Sequence, residues 1–128
     1  MTRARRRART GWRSALAASL ALAGTLTPSD GFARDQAYVG TWAAKRAQCR
    51  LGQDNQDAPL IVTRNGYDQH ETHCRFGSVR SRGKDSWRVR GKCSVQGDAQ
   101  SHDFTFTVSG SRLTIRDKHG ARVLQRCG

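Results

Sequence analysis

From Ser86 to Val95 the side chains alternate without interruption. Trp87, Val89, Gly91, Cys93 and Val95 share one phase; Arg88, Arg90, Lys92 and Ser94 share the other. A period of two is the mark of a strand with one face in a core and the other in water. Residues 103–109 repeat the pattern with Phe104, Phe106 and Val108 inward, and residues 112–116 repeat it with Leu113 and Ile115 inward. Residues 60–64 are a short β-branched run, hence a strand. In residues 74–81 the alternation slips between Phe76 and Val79, which predicts a bulge at Gly77. Residues 38–44 open the series, with Trp42 expected to plug one end of the core, and residues 121–127 close it.

Between these runs lie turn signals. Asn65-Gly66 is a strong tight-turn signal, because both residues tolerate positive φ. Residues 82–85, 96–100 and 117–120 read as turns, residues 45–59 as a polar loop, and residues 67–73 as a ragged strand or a loop. No segment after Ala33 carries the apolar stripe of a helix. The expected fold is all-β: a small antiparallel meander of seven or eight strands, closed as a barrel or packed as a sandwich. Closure has the advantage of removing exposed edges.

Ahead of this domain the chain changes character. Arg3, Arg5, Arg6, Arg7, Arg9 and Arg13 form a basic run, residues 14–26 are apolar and uncharged, and Gly31-Phe32-Ala33 offers small residues at −3 and −1 of a cleavage point. That is the anatomy of a secretory signal peptide. The apolar run is shorter than the roughly 20 residues a membrane-spanning helix needs. The expected division is therefore a helical signal peptide over residues 1–33, cut near Ala33, and one mature domain over residues 34–128, periplasmic or secreted, without a transmembrane segment.

All four cysteines, Cys49, Cys74, Cys93 and Cys127, follow the leader. An even count in a short exported chain reads as two disulfides. Three pairings are open; the one expected here is sequential, Cys49 with Cys74 and Cys93 with Cys127. A four-thiolate zinc site is the rival, against which stand the absence of any C-x-x-C pair and the long spacings.

The mature region holds 17 Lys+Arg against 9 Asp+Glu, net +8. Such a balance favours acidic proteins or anionic surfaces as partners. Arg88, Arg90 and Lys92 form the candidate face for them, with Arg75, Arg80, Arg82, Arg112, Arg116 and Arg122 as additions. Export argues against intracellular nucleic acid. Nothing points to an enzyme. His70-Glu71-Thr72-His73 is one residue short of the H-E-x-x-H zinc motif, and on a strand its histidines face opposite ways. Ser101-His102-Asp103 spells the residue types of a catalytic triad, but neighbours on an extended chain point apart. His119 sits in a turn beside Asp117. No catalytic, cofactor-binding or metal-ligating residue is expected, no cofactor, and a monomer.

Gly40-x-Trp42 at the head of an antiparallel meander resembles the calycin barrels: lipocalins, avidins and the small bacterial metalloprotease inhibitors. The resemblance implies that Trp42 closes the barrel floor and that a basic residue of the last strand, Arg126, packs across it. A small exported chain with Cys49 soon after that strand and Cys74 beyond looks most like the inhibitors. The mature chain also resembles short, uncharacterised bacterial exported proteins, through Gly40-Thr41-Trp42, Cys49, Gly66-Tyr67, Cys74-Arg75-Phe76, Trp87-x-Val89, Cys93 and Arg126-Cys127; that likeness implies a fold and an export route. The expected role is non-enzymatic binding, as an inhibitor of a secreted hydrolase such as an acidic metalloprotease. The alternatives are a barrel that carries a small ligand in a cavity lined by Phe76, Phe104 and Phe106, a protein that binds an anionic envelope surface, or a structural protein of the envelope.

Overall fold

The computed structural model describes residues 36–128. The predicted signal peptide and its cleavage point lie outside the described residues. Eight antiparallel strands follow one another: β1 (Gly40–Ala43), β2 (Leu60–Val62), β3 (Gly66–Gln69), β4 (Thr72–Ser81), β5 (Ser86–Val95), β6 (Asp98–Ser109), β7 (Arg112–Asp117) and β8 (Gly120–Arg126). Each pairs with the next, and β8 returns to β1, so the sheet is a closed barrel. The meander expected from the alternation is thus a barrel of eight strands. A single 3-10 turn, Arg46–Arg50, interrupts the β1–β2 connection.

The inward phase of each strand supplies the core. Trp42, Leu60, Val89, Phe106 and Leu113 are fully enclosed, with Trp87, Phe104 and Leu124 nearly so. Tyr38, just ahead of β1, enters the barrel as well. Its ring stacks on Phe106 at 5.4 Å between centroids and meets Trp87 edge-on at 5.1 Å. Phe104 stands edge-on to Phe106 at 5.0 Å and to Tyr67 at 5.9 Å. Aromatic pairs in these orientations add about 0.5–1.5 kcal/mol each beyond the area they bury.

Gly77 does sit at a bulge, where the β4–β5 register shifts between Phe76 and Ser78. The consequence reaches the cysteines. Near the turn, Arg80 faces Arg88 and Val79 faces Val89; carried straight on, that register would set Cys74 against Ser94. The extra residue at Gly77 advances β4 by one, so that Cys74 faces Cys93 instead. Both point inward, and the two form a disulfide with their Cα atoms 4.0 Å apart.

The second bridge joins Cys49 to Cys127. The sequential pairing is therefore wrong. Cys49 lies in the 3-10 turn after β1 and Cys127 just past β8. Those strands are neighbours only because the barrel closes, with Trp42 facing Arg126 and Ala43 facing Gln125. The peptide N–H of Cys127 continues the ladder to the Thr41 carbonyl at 2.8 Å.

Two turns differ from expectation. Residues 96–100 are not all turn: Gln96 and Gly97 both take positive φ, 51° and 90°, which completes a two-residue hairpin loop, and pairing resumes at Asp98. The Asn65-Gly66 reading is corrected in its reason. Neither residue takes positive φ; the turn is held by the Thr63 N–H and hydroxyl, both donating to the Gly66 carbonyl at 2.8 and 3.1 Å. Glycine is required because a Cβ at position 66 would overlap the Cys74 carbonyl on β4. Gly66→Ala is accordingly expected to cost about 1–3 kcal/mol, the usual penalty of an overpacked site. Urea unfolding measures it, and a neutral result would mean that β3 shifts freely against β4.

Candidate functional site

The barrel floor is built first. Trp42 donates its indole N–H to the Tyr38 carbonyl at 2.9 Å, which fixes the turn that carries Tyr38 beneath the core. The Arg126 guanidinium lies over the indole, 4.1 Å from the ring centroid. It donates to the Val39 carbonyl at 3.1 Å and to the Ala37 carbonyl at 2.6 Å. Gly40, at φ 150°, leaves the space: a Cβ there would come within 2.5 Å of Arg126 Nη1. Gly40, Trp42 and Arg126 thus form one locked unit, with both ends of the domain tied into it. Cation–π contact, charged hydrogen bonds and burial act together here.

Above that floor the core is packed through the aromatic cluster, and at the other end the inward-phase Gly91, His102 and Asp117 line a hollow. Phe104 and Phe106 are enclosed in the aromatic cluster, and of the three phenylalanines expected around a cavity only Phe76 reaches open space. Phe76 forms part of a groove of about 860 Å³ beside the β7–β8 turn, together with His102, Asp117 and His119. Asp117 Oδ1 accepts from the peptide N–H groups of His119 and Gly120 at 2.8 and 3.2 Å, and these bonds, the His119 one foremost, hold its carboxyl below the usual carboxylate range. Tyr67, in the inward phase of β3, has its phenol pushed up by burial.

The candidate histidine clusters are separated. His70 Nδ1 lies 3.1 Å from the Gln53 carbonyl and its peptide N–H donates to Gln53 Oε1 at 2.8 Å, while His73 pairs with Asp68 at 2.7 Å on the outer face. Ser101, His102 and Asp103 point alternately out and in along β6; His102 lies toward Phe104, and Asp103 pairs with Arg90. Among the described residues no group of three or more His, Cys, Asp or Glu is placed to hold a metal ion.

The outer face of β4–β7 is where charge gathers. Arg88, Arg90 and Lys92 are exposed on β5. Register sets their neighbours: Arg80 opposite Arg88, Arg75 opposite Lys92, and Thr105 between Arg88 and Arg116. Arg80, Arg88 and Arg116 therefore share one row across four strands. A row of this kind is not legible in a linear sequence, since it depends on the register of three pairings. Arg112 is outward too but lies at the far end of β7, opposite Ser109. Arg122 does not belong to the face. It shares the inward phase of Leu124 on β8 and donates to Gln69 Oε1 at 3.0 Å.

One acid interrupts the face. Asp103 accepts two hydrogen bonds from Arg90, at 2.9 and 3.2 Å. This bond draws the Asp103 carboxyl below its ordinary range and pushes the Arg90 guanidinium up. Among the described residues, Arg80, Arg82, Arg88 and Arg116 have no carboxylate within ion-pairing distance. Arginines placed directly opposite one another repel. Asp103 offsets part of that cost through its charge near Arg88.

Fold and surface together define a closed, doubly disulfide-bonded antiparallel barrel with an aromatic core and a basic outer sheet face. No protein-family model, no curated protein and no solved structure matches the chain.

Proposed function

We propose that this chain is an exported, non-enzymatic binding protein that holds an anionic surface of the cell envelope against the outer face of β4, β5, β6 and β7. The observation that carries the reading is the arginine row, Arg80, Arg88 and Arg116, on an exposed sheet, with no carboxylate in ion-pairing distance among the described residues. Like charges in register weaken a sheet unless something outside it supplies the counter-charge. A surface of fixed anions supplies it along the whole row. Two disulfides fit an oxidising compartment, and the basic leader followed by an apolar run fits export to it.

Co-sedimentation tests this. The protein is expected to bind vesicles of phosphatidylglycerol and phosphatidylethanolamine at low salt and to leave phosphatidylcholine vesicles in the supernatant. Binding should fade as salt rises, because the screening length falls from ~10 Å at 0.1 M to ~3 Å at 1 M. Joint replacement of Arg88, Arg90 and Lys92 by alanine should weaken binding by about tenfold or more. No binding to anionic vesicles at low salt would remove the proposal, as would binding that the triple replacement leaves intact.

A further inference from the structure

The basic face is not a uniform sheet of charge. Two shallow concavities of about 390 Å³ each lie side by side on it, and both are lined by Arg82 and Arg88. One is completed by Arg80, Arg90 and Ser78 on β4 and β5. The other is completed by Arg116 and Thr105 on β7 and β6, with Lys118 at its margin. Asp103 and Asp117 also line the second: Asp103 is paired with Arg90, and Asp117, held by the amides of its own turn, keeps its charge beside Lys118. Apart from Lys118, the cations that line the two hollows are all arginine. A guanidinium offers a planar fork that matches two phosphate oxygens at once, where an ammonium offers a point charge. Serine and threonine add hydroxyl donors at the edge of each hollow.

From this geometry we infer that Arg80, Arg82, Arg88 and Arg116 form a clamp for terminal phosphate groups, and that the surface recognised is a membrane headgroup ending in a phosphate monoester. The inference rests on the reading of this face as an anion-binding surface. A phosphodiester carries one negative charge and two free oxygens. A monoester carries up to two charges and three free oxygens, enough to engage two forks and a hydroxyl together. Arg88, shared by the two hollows, sits where it can bridge neighbouring phosphates. The clamp also relieves the repulsion between Arg80 and Arg88, which face each other across β4 and β5.

The test compares vesicles containing phosphatidic acid, a monoester, with vesicles containing phosphatidylglycerol, a diester, matched for measured surface charge. Binding to the monoester should be about tenfold tighter, the gain of one additional charge-assisted hydrogen-bonded contact. Arg88→Lys keeps the charge and removes the fork. It should bring phosphatidic acid binding down to the level of phosphatidylglycerol and so abolish the preference, whereas Arg112→Lys, on the same strand as Arg116 but outside both hollows, should keep the preference. Circular dichroism confirms that each variant is folded. Equal binding to the two vesicles, or a preference that survives Arg88→Lys, overturns the clamp and leaves the anionic-surface reading standing; no binding to either vesicle overturns both. Free glycerol phosphate at the same phosphate concentration should displace little protein from phosphatidic acid. Full displacement would reassign the site to a soluble phosphomonoester and overturn the membrane assignment.

Discussion

Replacing Cys49 and Cys127 by serine is expected to lower the free energy of unfolding by about 4–5 kcal/mol. The bridge spans 78 residues of sequence, and the chain-entropy model assigns a loop of that length about 4.5 kcal/mol. The bridge between Cys74 and Cys93 spans 19 residues and by the same relation contributes about 3 kcal/mol. The ordering of the two is the sharper statement. The long bridge crosses the seam where β1 meets β8, and that seam is thin: Trp42 faces Arg126, Ala43 faces Gln125, and one further bond from Cys127 completes it. By contrast β5 and β6 pair along almost their full length. Without the bridge, the barrel should open at the seam before it unfolds elsewhere, baring two strand edges. Urea unfolding gives the size of the effect, and hydrogen exchange at the Cys127 amide gives its location. If removing the short bridge proves the more damaging, or if exchange at the seam is unchanged, this account of closure is wrong.

Trp42→Ala is expected to cost about 3–5 kcal/mol, the range for truncating a large aromatic in a core. Trp42 is wholly enclosed, and its loss removes more than volume. The indole N–H holds the Tyr38 carbonyl, and the indole face holds Arg126. Tyr38 in turn stacks on Phe106 and abuts Trp87, so the floor and the aromatic core should loosen together. Trp42→Phe keeps a ring beneath the guanidinium and forfeits the hydrogen bond, and should fall between wild type and alanine. Near-ultraviolet circular dichroism reports the remaining aromatic packing during the same titration. A loss under about 1 kcal/mol for Trp42→Ala would show that the floor is not what holds the barrel shut.

Much of this fold is legible in the residues because alternation is a local property. Trp87, Val89 and Cys93 on β5, Phe104, Phe106 and Val108 on β6, and Leu113 and Ile115 on β7 reveal their strands and their inward phase without any partner. What is not legible is non-local. Cys49 meets Cys127 only because β8 returns to β1, and no short-range pattern announces that return. The first rungs of β6, Asp98 to His102, carry no large apolar residue, so composition suggests a turn where the hairpin geometry continues a strand. The same holds for the candidate surface. Arg88, Arg90 and Lys92 can be grouped from one strand alone, but Arg80 and Arg116 join them through register, and Arg122 leaves them because the phase of β8 turns it inward. Arg126 over Trp42 follows from closure as well, and its sequence signal was the Gly-x-Trp likeness rather than any periodicity.

The single residue inserted at Gly77 also links backbone geometry to sulfur chemistry. With the offset in place, two thiols meet on the same side of the hairpin; without it, one of them would face a serine and its would-be mate would lie a rung away, across the pleat. The bridge therefore requires the native register of β4 against β5. Once made, the bridge between Cys74 and Cys93 holds the one-residue offset in place.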